Sequence, residues 1–546
     1  MESEAARPKL VIIGAGISGL SAAQYLVKNS APCDILILEA KDRVGGRIWT
    51  GDDKLDLGAQ FIHGRDNNPI YKIAAERKLI AEEDVQSQEG STDEEEGQTD
   101  DEEDDEEEER NLFYTQTGSS IPAKVAREVC DVLDEILEEG NKFARENVSL
   151  CDDESVGTFI HRQFYKYLKT SNDSVEIRAM KEALFNWRLL QEKADNACKS
   201  VFELSLYAWG EYLECSGQRY MEFKSGFSTV INAIMEDIPK SMIHLNKPVK
   251  RINWDQSSSQ SFGETLDSMP PMASPGAGNV TTSNNELSAS SGSLFAQPKV
   301  TIHTTDGSVT SADYVLVTCP LGVLKRTAHD LFRPLLPSNK LAVINRMGFG
   351  TVNKIFLEFD QPFWDQETDG IQFAWSNDEE LVLDCVDNRL LKEYLKKDWY
   401  RGIQGFDTLY GHPNLLEGWI AGEEAEVMET LPEAVVMDVC YQLLKRFTNK
   451  PDMPKPVRLI RSNWHSEPYI LGSYSYIKLG YKATDCDLLA QPVAVKQEPR
   501  VMFAGEHTHK QYYSTTHGAL LSGQREAQRL LDHLKTCSSS KNAATA

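Results

Sequence analysis

Leu10-Val11-Ile12-Ile13-Gly14-Ala15-Gly16-Ile17-Ser18-Gly19, close to the start of the chain, joins four apolar residues to a G-x-G-x-x-G turn. A short apolar run bounded by glycine predicts a buried parallel strand. Residues 19–27 then predict a helix with Leu20, Ala23 and Val27 on one face. Ile35-Leu36-Ile37-Leu38 predicts a second buried strand, and it ends at Glu39 and Ala40. Strand, glycines, helix, strand and acid together are the context in which this motif binds a dinucleotide. Gly14 allows the tight turn, Gly16 leaves the backbone open to a pyrophosphate, and Gly19 lets helix and strand pack closely. Ala15 and Ser18 lie in the same turn, where the N–H groups of a helix start face the phosphates. Glu39 is placed to accept hydrogen bonds from ribose hydroxyls. The motif alone leaves NAD and FAD both open.

Outward from this unit, the chain alternates strand-like and helix-like patterns, which is α/β composition. Residues 314–318 and 501–504 predict further buried strands, and residues 125–137, 434–447 and 520–534 predict amphipathic helices. Two stretches carry the composition of disordered surface insertions: the acidic segment 81–110 and the Ser-, Gly-, Pro- and Asn-rich segment 256–298. Residues 537–546 are expected to be a frayed tail.

The chain has 546 residues, 40% of them hydrophobic, enough for more than one core. Its 57 basic and 84 acidic residues give a net charge of −27. Residues 93–109 hold 14 acidic residues and no basic one, and without them the balance is still −13. An acidic body excludes the basic face that nucleic acid requires, and it attracts cations. Ten cysteines without a Cys-x-x-Cys pair argue against a structural zinc site or a disulfide scaffold, so no metal is expected. The first residues lack an apolar signal core, and no run approaches the roughly 18 apolar residues of a spanning helix. The expectation is a protein of the cytosol or nucleus with no membrane contact. The acidic segment reads as a solvated loop or as a docking site for a basic protein partner.

Asp42-Arg43-Val44-Gly45-Gly46-Arg47 follows the second strand, and paired glycines before an arginine suit an anionic cofactor. Further on stand Leu57-Gly58-Ala59-Gln60-Phe61-Ile62-His63-Gly64, Gly350-Thr351-Val352-Asn353-Lys354-Ile355-Phe356 and Gly472-Ser473-Tyr474-Ser475-Tyr476. Near the end come Phe503-Ala504-Gly505-Glu506-His507-Thr508 and Tyr512-Tyr513-Ser514-Thr515-Thr516-His517-Gly518. In this order, these segments resemble the FAD-dependent amine oxidase family, and within it the animal polyamine oxidases that act on spermine and N1-acetylated polyamines.

The resemblance implies a Rossmann-type FAD-binding domain interleaved with a mixed-sheet substrate domain. Residues 8–80, 221–325 and 456–536 would build the first, and 111–220 and 326–455 the second. FAD would be bound noncovalently by Gly14, Ala15, Gly16, Ser18, Gly19, Glu39, Ala40, Gly45, Gly46, Arg47, Gly58, Ala59, Gln60, Phe61, Val249, Glu506, Ser514, Thr515 and Thr516. Lys354 matches the family lysine that meets flavin N5 through a water, and His63 matches a substrate-site histidine. Tyr474 and Tyr513 match an aromatic pair at the flavin face. Glu203, Ser205, Glu211 and Thr515 match positions that bind the amines.

The implied reaction passes a hydride from a carbon beside a secondary amine to the flavin. It yields a shorter polyamine, an aminoaldehyde and, with dioxygen, hydrogen peroxide. Val352 stands where these oxidases carry a polar residue. The alternatives are an amino-acid or histone-lysine oxidase of the same family, or a silent flavoprotein scaffold.

Overall fold

The computed structural model describes residues 7–80, 110–146, 154–218, 220–255, 299–377 and 398–545. The glycine motif stands where the sequence places it, between the strand Lys9–Ile13 and the helix Ile17–Lys28, with the strand Asp34–Leu38 following. These strands sit near the middle of a six-stranded sheet. Its order is Val493–Val495, Glu498–Phe503, Tyr314–Val317, Lys9–Ile13, Asp34–Leu38 and Ile243–His244. Every neighbouring pair is parallel except the outer hairpin of Val493–Val495 and Glu498–Phe503. Leu10 and Ile12 join one core while Val11 and Ile13 join another. Both faces of the first strand are therefore covered, which is why its sequence is continuously apolar rather than alternating.

A second six-stranded sheet runs Arg458–Arg461, Val352–Glu358, His412–Ala421, Gly405–Leu409, Gly370–Ala374, Asn111–Thr115. It is antiparallel except for its last pair. Ile355, Leu357 and Phe359 face its apolar core, and the opposite face carries Lys354 and Phe356. The strand that carries this lysine runs from Val352 to Glu358. Arg458–Arg461 belongs to this second sheet although it lies in the third segment expected for the cofactor domain. The helices Ala123–Arg145, Val156–Thr170 and Val175–Asp195 share a separate core beside it.

The last helix, Thr516–Thr545, packs along Ile17–Lys28. Ser21 Oγ donates to Leu520 O at 2.9 Å, and a Cβ on Gly523 would stand 2.1 Å from Ser18 O. This helix corrects the expectation of a frayed tail from residue 537. Within it Leu534 is buried, and Ser538 and Ser539 donate their hydroxyls to the carbonyls four residues earlier. The acidic stretch 93–109 and the segment 256–298 lie outside the described residues.

Candidate active site

A cavity of about 2160 Å³ joins the carboxyl ends of the first sheet to the second sheet. Its wall at the first sheet is made of the glycine turns. Gly14 has φ +107° and its N–H donates to Leu38 O at 2.9 Å, which turns the chain sharply off the strand. A Cβ on Gly19 would stand 2.2 Å from Gly14 O, so this glycine serves packing and does not line the cavity. Gly16 differs, because a Cβ there would meet nothing within 4 Å among the described residues and would project into the cavity. The helix that Gly16 opens has no side-chain cap among the described residues, so its first N–H groups remain available to an anion. Gly45 N–H donates to Ala15 O at 2.8 Å, which sets the second glycine turn beside the first. These features fit the pyrophosphate of a dinucleotide.

Glu39 is buried, and its oxygens accept from Ala15 N at 2.6 Å and Lys41 N at 2.9 Å, which fixes the carboxylate at the cavity wall. Arg47 Nη1 donates to Ser473 O at 2.8 Å and to Glu506 Oε1 at 2.9 Å. Burial opposes ionisation of Glu506, yet Arg47, His507 and a hydrogen bond from Ser475 hold it well below the usual carboxylate range. Ser18, Ala40, Gly46, Gly58, Ala59, Phe61, Val249, Ser514 and Thr516 also line the cavity. Ala15 does not, and it contributes its N–H to Glu39 instead.

Lys354, 2% exposed, sits where the two sheets meet. Its Nζ donates to Asp56 O at 2.7 Å and to Gln60 Oε1, lies 3.1 Å from Glu417 Oε1, and stands 4.5 Å from the Trp419 ring centroid. Gln60 passes the network on, because its Nε2 reaches Glu417 Oε2 at 3.1 Å and Glu222 Oε1 at 2.8 Å. Burial raises both Glu417 and Asp56, the latter to about 6, and Lys354 opposes the rise in each.

His63 opens into the cavity just after the short strand Phe61–Ile62, with the Tyr220 ring 5.8 Å away. Enclosure by the cavity walls lowers its pKa. Tyr474 and Tyr513 both line the cavity, the first anchored by its hydroxyl on Ala194 O at 2.6 Å and the second packed on Tyr212. Val352 lines the cavity too. Thr515 reaches the wall but its hydroxyl is engaged, accepting from Gly518 N at 3.0 Å as a helix cap and donating to Tyr512 O.

Three expected amine-binding residues stand elsewhere. Glu203 accepts from the Tyr476 hydroxyl at 2.6 Å and pairs with Lys478. Glu211 accepts from the Tyr481 hydroxyl at 2.9 Å and pairs with Lys510, and Ser205 is buried against residue 155. None of the three lines the cavity. Carboxylates that the sequence reading did not single out take their place: Glu192, Asp195, Glu214, Glu222 and Glu417.

Asp195 is the last residue of the helix Val175–Asp195 and its side chain opens into the cavity. An acid at a helix C-terminus adds to the negative end of the dipole. Burial, reinforced by Glu192 and Glu214 and opposed by Arg188, pushes Asp195 up to about 7. A wall of this kind suits a cation.

The flavin containing amine oxidoreductase family model matches residues 17–267 and 293–531. The chain is 33% identical to the human peroxisomal N(1)-acetyl-spermine/spermidine oxidase over 540 residues, covering 96% of this chain and 95% of the relative. It is 28% identical to the probable polyamine oxidase 5 of Arabidopsis thaliana, with 97% and 99% covered. It is also 28% identical to the lysine-specific histone demethylase 1 homolog 2 of rice, where 96% of this chain matches 57% of the relative. A family match across most of the chain, a dinucleotide cradle and a lysine buried between the two sheets lead to one conclusion: the chain belongs to the flavin containing amine oxidoreductases.

Proposed function

We propose that this protein oxidises polyamines, spermine or its N1-acetylated relatives, at a secondary amine, giving a shorter polyamine, an aminoaldehyde and hydrogen peroxide. The observation that carries the reading is one cavity lined both by a dinucleotide cradle and by Glu192, Asp195 and Glu214. The bound flavin supplies the hydride acceptor. Asp195 and its neighbours hold an ammonium group of a long, multiply charged substrate, where low dielectric strengthens the attraction. His63, whose pKa is lowered by enclosure, donates its N–H to the amine nitrogen and so favours the unprotonated amine. Tyr474 and Tyr513 confine the chain of the substrate between aromatic walls. Lys354 holds a proton where the two sheets meet, tied to Gln60 and Asp56.

Mixing the yellow protein anaerobically with spermine, N1-acetylspermine, lysine or a histone-tail peptide tests this reading. Bleaching of the flavin by one of the polyamines within a turnover time is the expected result. Bleaching by lysine or the peptide alone, or by nothing, would overturn it.

A further inference from the structure

The strand His412–Ala421 is apolar along its inner half, where Leu415, Leu416, Ile420 and Ala421 are buried. Glu417 interrupts this run at 3% exposure. A buried carboxylate costs several kcal/mol unless it is paired, so its position calls for a partner and a use. Register sets Glu417 beside Phe356 on one side and Asp407 on the other. Lys354, two residues before Phe356 on the same strand, brings Nζ to 3.1 Å of Glu417 Oε1. Gln60 links Glu417 to Glu222. Asp56 offers its backbone carbonyl to Lys354 and holds its carboxylate on Thr50 and Phe227 N. The charged groups gathered here are thus Lys354, Glu222, Asp407 and Asp56. Among the described residues, Glu417 Oε1 receives no hydrogen bond of good geometry, so it is open to a proton.

The proposed reaction has a matching requirement, and the inference rests on that reading. A protonated secondary amine loses a proton from nitrogen and a hydride from the neighbouring carbon. The carbon–nitrogen bond becomes double, and the product is an iminium cation of unchanged charge. Dioxygen takes the two electrons and proton of that hydride, needs one further proton, and becomes hydrogen peroxide. The proton lost in the first half equals the proton consumed in the second.

We propose that Glu417 stores this proton between the two halves, receiving it through Lys354 and returning it by the same lysine. Lys354 takes the proton from the substrate nitrogen as it gives one to Glu417, and the transfer reverses when dioxygen is reduced. Burial raises the proton affinity of Glu417 and Lys354 opposes the rise. Glu417 acts through Lys354 and is a positioning and proton-holding residue.

Proton release tests the proposal. In weak buffer with a pH indicator, anaerobic bleaching by a polyamine should release no net proton from the wild type. Glu417→Gln should release about one proton for each flavin bleached. A purely structural carboxylate would alter stability or rate but not this ratio. If that variant does not fold, the double variant Lys354→Met with Glu417→Gln removes both charges and should also release the proton. Release by the wild type, or retention by the variants, would overturn the proposal. Absence of bleaching with any polyamine would instead sink the polyamine reading, and the proton store with it.

Discussion

Arg47 Nη1 stands 2.9 Å from Glu506 Oε1, and this contact ties the second glycine turn to a segment 459 residues further along the chain. Glu506 is 3% exposed and the Arg47 side chain 24%. Removing one partner of a buried pair costs about 3–5 kcal/mol, and the partial exposure of Arg47 sets Glu506→Gln at the lower end. The variant should lose thermal stability and cofactor together. The wild-type carboxylate is depressed below 4.5, so its contribution is present above that pH and is lost as pH falls below it. Thermal melts from pH 7 to pH 3 should show this decline, and Glu506→Gln should show less of it.

Gly16 and Gly19 share a motif but answer to different neighbours. Gly16→Ala keeps an ordinary backbone conformation, with φ −74° and ψ 173°, and its Cβ enters open space. The apoprotein should therefore melt within about 0.5 kcal/mol of wild type while FAD retention falls. Gly19→Ala drives a Cβ to 2.2 Å from Gly14 O and should destabilise the apoprotein itself. Equal melting of the two apoproteins would contradict the assignment.

Lys354→Met keeps an apolar stem of similar length and removes the proton. Losing a positioned proton-transfer group costs about 10²–10⁴-fold in rate. Stopped-flow measurement of flavin reduction and reoxidation, taken separately, should find at least one slowed to this degree with FAD still bound. The substitution also strands Glu417, so Lys354→Met combined with Glu417→Gln should be more stable than Lys354→Met alone.

Asp195→Asn should raise the KM for spermine with little change in kcat. A hydrogen bond to a charged group contributes about 1.5–3 kcal/mol, which is roughly tenfold to a hundredfold in KM. Asp195 is raised to about 7, so the free protein carries it neutral below that pH while an ammonium needs it ionised. The wild-type KM should therefore climb as pH falls below about 7, with Glu192, Glu214 and Arg188 as the charges that set the midpoint. Steady-state kinetics from about pH 5.5 to about 8.5 should show this rise flattened in Asp195→Asn.

The cofactor half of the site was legible because each of its signals is local. A four-residue apolar strand, glycines at fixed offsets and an acid at the end of the next strand carry their geometry with them, and Gly14, Gly16, Gly19 and Glu39 stand in those places. Lys354 and Gln60 were reached through quoted segments that the fold then brings together. In the substrate half His63, Tyr474 and Tyr513 were reached, but its carboxylates were not, because they are assembled by pairing between distant strands and helices. Glu222 reaches Gln60 only because Met221–Glu222 pairs with Phe61–Ile62. Asp195 depends on where its helix stops. Glu203 and Glu211 look alike in sequence but are claimed by tyrosine hydroxyls. One missed residue did leave a trace: Glu417 is a lone charge within Leu415-Leu416-Glu417-Gly418-Trp419-Ile420, where a buried strand admits an acid only beside a partner.

The first sheet joins distant parts of the chain, with Lys9–Ile13 flanked by Tyr314–Val317, and that strand by Glu498–Phe503. A ribosome making this protein delivers the glycine turns first and the residues that close over them last. The nascent chain therefore spends most of its synthesis with a half-built nucleotide pocket whose apolar strands lack neighbours. The nucleotide pocket is therefore completed only after most of the chain has been made.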